Sequence, residues 1–254
     1  MTDLKRADYC AIACAEVFRG DGEIMASPMA TTPMIGARLA RATFEPDLVL
    51  TDGVSSILAG DLPVGAKPKE TIVEGWMPYR FVFDTLWWGK RHVMMGASQI
   101  DQFGNQNISA IGPDFQRPKS QLLGVRGAPG NTISHTTSYW VARHDTRVFV
   151  EHVDVVSGVG YDRAAKLHPA SRARHEIRAV VTNLGVFDFQ TPDNRMRIRA
   201  LHPGVTVDEV IAATGFQLVV PENIETTRPP TDDELRILNE VIDPKGLRYR
   251  EVAE

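Results

Sequence analysis

The chain has 254 residues, 43% of them apolar, with 28 Lys plus Arg against 32 Asp plus Glu and a formal net charge of −4. The apolar share supplies a core and excludes a disordered chain, the acidic balance excludes a dedicated nucleic-acid binder, and two cysteines exclude a disulfide framework. No apolar run approaches the ~18 residues of a membrane span and the N-terminal MTDLKRADYC lacks a signal peptide's apolar stretch, so no membrane partner is expected and the cytoplasm is the expected compartment.

Residues 5–18 predict a helix with Ala7, Ile12, Ala15 and Val17 as apolar members and Gly20 as its stop. Cys10 and Cys14 lie one turn apart with no further ligand nearby, so they read as small core residues rather than a metal site. A short strand is expected at 23–25 and a second helix at 32–41. The short apolar runs 48–50, 92–95, 121–125, 148–150 and 179–181 suit strands buried on both faces. Residues 196–201 alternate instead, with Arg195, Arg197 and Arg199 on one face and Met196, Ile198 and Ala200 on the other, which predicts a strand with one wet face. Thr206 and Glu209, then Thr231 and Glu234, have capping-box spacing and open helices to about 214 and 241. Short strands, intervening helices and glycine-rich turns predict an α/β fold: an open, mostly parallel sheet with flanking helices, in one domain over 1–254. Such sheets bind ligands beyond the carboxyl ends of their strands, so the loops after strands are where chemistry is expected.

The common signatures HExxH and GxSxG are absent, and Gly158-Val159-Gly160 lacks the third glycine of a dinucleotide fingerprint, Arg163 standing in its place. Two loops stand apart. The first, 96–107, packs Gln99, Asn105 and Asn107 among glycines; amides both donate and accept, which suits orienting a carbonyl or a water. The second, 124–131, carries Arg126 among Gly124, Gly127 and Gly130, followed by Asn131. Glycines let backbone approach a ligand, and a guanidinium fork suits a carboxylate or phosphate. The aromatic residues Tyr79, Phe81, Trp87 and Trp88 offer surface for a ring or a partner helix, with core packing expected for at least half of them.

Several ordered motifs resemble the β subunits of class I coenzyme A transferases. Gly96–Asn107 is similar to that family's GGAQxDxxGNxN stretch, Phe149–Gly158 to FVExVDxxxxxG, Val180–Phe187 to VVTDLxVF, and Pro203–Pro221 to PGVTxEEVxxATGFxLxVP. The resemblance spans roughly residues 5–222 and implies the NagB/RpiA/CoA-transferase-like fold and an α2β2 heterotetramer with an α subunit. True transferases of the family carry a nucleophilic glutamate in a Glu-Asn-Gly or Glu-Ser-Gly triplet. The matching triplet here is Thr51-Asp52-Gly53, and threonine cannot form the acyl intermediates that lead to a glutamyl–CoA thioester. Asp52 is the remaining carboxylate, one methylene shorter and one position along.

Within the family the chain is most similar to a ring-cleaving branch of bacterial steroid catabolism. That branch opens a cyclic β-keto-enoyl-CoA thioester by hydration and retro-Claisen cleavage, with a glutamate base from the α subunit. The resemblance then implies CoA as part of the substrate, with no other cofactor and no metal. It also implies a substrate carboxylate held by Arg126, a pocket wall of Gly127, Gly130 and Asn131, and substrate contacts from Thr51, Asp52, Gly53, Gln99, Asn105 and Asn107. A working CoA transferase and a non-catalytic scaffold subunit are the alternatives.

Overall fold

The computed structural model describes residues 4–51, 56–60, 62–66 and 72–252. They divide into two compact units, Met1–Met95 with Thr227–Glu254, and Gly96–Thr226.

The first unit runs α1 (Arg6–Glu16), β1 (Met25–Pro28), α2 (Thr31–Thr43), β2 (Val49–Thr51), β3 (Ser56–Ala59), β4 (Ile72–Trp76), α3 (Tyr79–Trp88) and β5 (Arg91–Gly96). Its strand order is β5-β1-β2-β3-β4. The first three are parallel, with Ala26 opposite both Leu50 and His92, and β3 and β4 add antiparallel strands at one end. The expected strand at 23–25 lies two residues later, because Met-Ala-Ser-Pro has no β-branched residue to announce it.

Helices α1 and α2 cross where Gly36 meets Cys14: a Cβ at Gly36 would lie 2.6 Å from the Cys14 Cβ, so only glycine permits the approach. Cys10 and Cys14 are fully buried, and burial pushes both thiols well above their ordinary range, as core residues rather than reactive ones.

The returning segment 227–252 is tied to these helices by ions. Arg228 bridges Glu16 at 2.6 Å and Glu234 at 2.7 Å, and the buried Arg248 pairs with Asp8 at 2.8 Å and Asp243 at 2.9 Å. The Glu251 carboxylate accepts from the Thr32 N–H and Oγ1, both at 2.6 Å. The Thr231–Glu234 capping box forms in both directions.

The second unit runs β6 (Gln99–Ile100), β7 (Gln106–Asn107), β8 (Ala110–Ile111), β9 (Ser120–Gln121), α4 (Ala128–Ser134), β10 (Thr136–Val141), α5 (Tyr161–Ala164), α6 (Pro169–Arg172), β11 (Glu176–Thr182), β12 (Gly185–Asp188), β13 (Arg197–Leu201), α7 (Val207–Ala212) and β14 (Glu225–Thr226). Its strand order is β10-β11-β12-β13-β14, parallel at β10–β11 and β13–β14 and antiparallel between. Each unit is thus an open α/β sheet with flanking helices.

Two expected strands are corrected. Residues 121–125 continue β9 for one residue only; Leu123 and Val125 are exposed, so this apolar run is surface rather than core. Residues 148–150 make a single bridge, Ile100 to Phe149, in place of a strand. The arginine stripe is dispersed: Arg197 pairs with buried Asp188 at 2.6 Å, Arg195 with Asp193 at 2.6 Å, and Arg199 is exposed. Thr206 caps α7 by accepting from the Glu209 N–H at 3.2 Å.

Candidate functional site

Thr51 ends β2, buried and opposite Ile57 of β3. Because β5, β1 and β2 are parallel, their carboxyl ends share one edge, where an open α/β sheet receives ligands. Thr51 brings a hydroxyl to that edge and no carboxylate. Asp52 and Gly53 lie outside the described residues.

The amide loop after β5 is a closed network. Asp101 accepts from the Phe103 and Asn105 N–H groups, both at 3.0 Å, and from Asn105 Nδ2 at 2.9 Å. Asn105 Nδ2 also donates to Asp162 at 2.8 Å, and its Oδ1 accepts from the Gly160 N–H at 2.8 Å. Asn107 Nδ2 donates to Gln99 Oε1 at 2.7 Å and to the Ala110 carbonyl at 2.8 Å, while its Oδ1 accepts from the Ser109 N–H at 2.9 Å. Gln99 Nε2 donates to Asp154 at 3.0 Å and Gln106 Nε2 to the Gly96 carbonyl.

All four amides are buried. The Nδ2 donors of Asn105 and Asn107 are both used in shaping the loop, while Asn105 Oδ1 accepts one hydrogen bond of the two that an amide oxygen can take. Burial holds the Asp101 carboxyl above the usual carboxylate range despite these hydrogen bonds, with a smaller contribution from Asp162.

The glycines dismissed as a nucleotide fingerprint belong to this network, a connection that no local sequence signal carried. A Cβ at Gly160 would lie 2.5 Å from the Asn105 nitrogen and 2.6 Å from the Phe103 carbonyl oxygen. Both neighbours are backbone and cannot swing away. Gly160→Ala is expected to lower stability by about 1–3 kcal/mol, as overpacking does elsewhere. Urea unfolding of the variant checks this, and a change under about 0.5 kcal/mol, the scale of a neutral surface substitution, would count against the close approach.

The arginine loop brings Arg126, Gly127, Gly130 and Asn131 together. Gly127 is the residue before α4, and the helix contains Gly130 and the buried Asn131, whose N–H donates to the Gly127 carbonyl at 2.9 Å. Thr132 ties α4 to the loop beyond: its Oγ1 accepts from the Val159 N–H at 3.0 Å, and its carbonyl accepts from His175 Nδ1 at 2.6 Å. Burial pushes the His175 pKa below its ordinary value, which keeps the ring a neutral donor.

Arg126 differs from everything around it. It is exposed and sits at φ +51°, the left-handed region that costs a side-chain-bearing residue roughly 1–2 kcal/mol. Its guanidinium has no hydrogen-bond or ion-pair partner among the described residues. The loop thus holds a free cationic fork on a strained backbone, in a turn that the Ala128 N–H closes by donating to the Val125 carbonyl at 3.1 Å.

Among the described residues no group of three or more His, Cys, Asp or Glu is placed to hold a metal ion, and no helix is long and apolar enough to cross a membrane. Among the described residues the site offers amides, a guanidinium, backbone and the Thr51 hydroxyl, groups that position and polarise.

Known proteins share this framework. Residues 85–213 match the model of the coenzyme A transferase family. The chain is 58% identical to the cholesterol ring-cleaving hydrolase IpdB subunit of Rhodococcus jostii, covering 100% of this chain and 98% of the relative. It is 57% identical to the subunit of the same name from Mycobacterium tuberculosis, covering 97% of this chain and 98% of the relative. The crystal structure of Rhodococcus jostii RHA1 IpdAB superposes with a TM-score of 0.93 at 56% identity, covering 100% of both chains. Fold, motif run and identity over the whole length agree: the chain belongs to the coenzyme A transferase family.

Proposed function

We propose that this chain is the β subunit of a cytoplasmic α2β2 hydrolase that opens the ring of a cyclic β-keto-enoyl-CoA thioester, the last steroid ring of cholesterol breakdown. The observation that carries this reading is the 58% and 57% identity, over nearly the whole chain, to subunits named for cholesterol ring cleavage. Thr51 supports it, because a covalent transferase needs a carboxylate where this chain has a hydroxyl.

The chemistry balances without one. A water, deprotonated by a glutamate of the α subunit, adds to the β-carbon of the enoyl double bond while the α-carbon takes a proton. The new hydroxyl gives up its proton and becomes a carbonyl as the bond from its carbon to the α-carbon breaks, and the electron pair passes to the α-carbon as an enolate shared by the thioester and the ring ketone. Protonation there leaves a ring-opened thioester, heavier than the substrate by one water and still joined to CoA. No electron is gained or lost, so CoA enters only as part of the substrate and no redox cofactor is needed. In this chain Arg126 holds the substrate carboxylate, and the α4 turn of Gly127, Gly130 and Asn131 forms the wall beside it. The amide loop sets the shape after β5.

The test is co-purification with the α subunit and assay on a cyclic β-keto-CoA thioester, following product mass and free CoA. Expected is a thioester heavier by one water with CoA retained. Transfer of CoA to an added acid instead would establish a transferase and make Asp52 the first residue to replace.

A further inference from the structure

We infer that His175 is a positioning residue for Arg126, acting through α4; this rests on reading Arg126 as the residue that holds the substrate carboxylate. The Arg126 guanidinium has no partner among the described residues, so no side chain there steadies it. Its direction is set by backbone: the left-handed turn at φ +51° and the helix that follows. Two hydrogen bonds join that turn to α4, from the Ala128 N–H to the Val125 carbonyl at 3.1 Å and from the Asn131 N–H to the Gly127 carbonyl at 2.9 Å. A movement of α4 therefore moves the fork.

What holds α4 lies outside it. With seven residues it falls well short of the ~12–15 at which an isolated helix becomes even marginally stable. Its last carbonyls need partners from beyond the helix. The chain turns extended at His135, with φ −133° and ψ 158°, after the His135 N–H has taken the Asn131 carbonyl at 2.9 Å. The next carbonyl, that of Thr132, receives the His175 Nδ1–H at 2.6 Å, from 43 residues along the chain. Thr132 is fully buried, and its Oγ1 donates to the Ala128 carbonyl and accepts from the Val159 N–H, both at 3.0 Å. His175 thus caps one end of the short helix, and Arg126 stands just before the other.

The ring is held in one orientation. His175 directly precedes β11, whose Glu176 lies opposite Thr136 of β10. An edge-on contact with Tyr161 fixes its plane, the ring centroids 4.8 Å apart and the planes at 78°. Tyr161 is fixed in turn: its hydroxyl accepts from the Ile177 N–H at 3.1 Å and donates to the Ile177 carbonyl at 3.3 Å. His175 Nε2 is buried with no hydrogen-bond partner among the described residues. A proton on it would be a buried donor without an acceptor, so Nδ1 carries the ring's one proton and gives it to Thr132. A catalytic base would turn its unprotonated nitrogen to substrate or water. This nitrogen is turned inward, and the ring's task is support.

The experiment is a double-mutant cycle on the assembled enzyme with a cyclic β-keto-CoA thioester: wild type, His175→Ala, Arg126→Ala and both together. Expected for His175→Ala is a kcat/KM about tenfold lower, a fraction of the ~100-fold that a displacement of 1 Å can cost. In the Arg126→Ala background the same replacement should change kcat/KM by less than about twofold, because no fork is left to position. A purely structural role gives the same loss in both backgrounds, and that result overturns the inference. His175→Asn, whose amide N–H can stand where Nδ1–H stood, should recover most of the loss. Amide exchange read by mass spectrometry needs no turnover: His175→Ala should speed exchange across 127–134 and leave β11 nearly unchanged. Unchanged exchange across 127–134 also overturns the inference. If His175→Ala does not fold, His175→Gln, whose amide nitrogen reaches past the Nδ1 position, replaces it in the cycle. The two failures are distinct. Near-normal turnover by Arg126→Ala overturns the carboxylate reading and this inference with it, whereas a slow Arg126→Ala beside a full-speed His175→Ala overturns the positioning role alone.

Discussion

Replacing Arg126 by alanine is expected to lower kcat/KM of the assembled enzyme by roughly 100-fold, about 2.7 kcal/mol of transition-state binding, while leaving stability nearly unchanged. The two halves of that expectation have separate causes. The guanidinium is exposed and has no partner among the described residues, so its removal breaks no internal contact. If it holds the substrate carboxylate, its removal leaves that anion without its counter-charge. Glycine at the same position sharpens the test. Arg126→Gly loses the same guanidinium but relieves the φ +51° backbone, so it should be at least as stable as Arg126→Ala, by up to about 1 kcal/mol, and equally slow. Lysine keeps the charge without the fork and should fall between. Steady-state kinetics on the complex, paired with urea unfolding, separates these outcomes. Near-normal turnover by Arg126→Ala would remove this loop from substrate binding and favour the scaffold alternative.

Parts of the fold were legible because they follow local rules. The apolar members of residues 5–18 with the Gly20 stop found α1, the apolar residues of 32–41 found α2, and the Thr231–Glu234 spacing found the box that opens the helix at Asp232. Apolar content alone misled at 121–125, where a run able to build a buried strand is left exposed. The strand β10, Thr136–Val141, is among the most buried of its unit, but threonine and serine at its start hid it.

In the loops the limits were of another kind. The amide composition of 96–107 identified the right segment, and the reason for it was invisible. The partners of Asn105 and Gln99 include Asp162 and Asp154, more than fifty residues away, and the close approach of Gly160 has no local signature. For Arg126 the residue type was readable, but its left-handed backbone was not, because only the folded loop imposes it.

The amide network predicts a pH-dependent defect. Asn105→Asp exchanges the donor that bridges Asp101 at 2.9 Å and Asp162 at 2.8 Å for a third acceptor. An added charge there is buried without compensation, and the loss at pH 7.5 should be about 3–5 kcal/mol. Asn105→Ala removes the same hydrogen bonds without adding charge and should lose less. The sign of the pH effect follows from Asp101, whose pKa burial already raises above its ordinary value. A third carboxylate raises it further and removes the hydrogen bond that lowered it. A carboxyl with a folded pKa above its unfolded one binds more protons in the folded state, so stability rises as pH falls through the folded pKa. The deficit of Asn105→Asp relative to wild type should therefore be largest above neutrality and shrink towards pH 5, as one proton comes to be shared where the amide stood. Asn105→Ala should show a smaller deficit that varies little over the same range. Urea unfolding of the three proteins at pH 7.5, 6.5 and 5.5 tests this. A deficit of Asn105→Asp that stays constant across that range would mean that the three carboxylates do not meet, and that the network holding the loop after β5 is not the one seen.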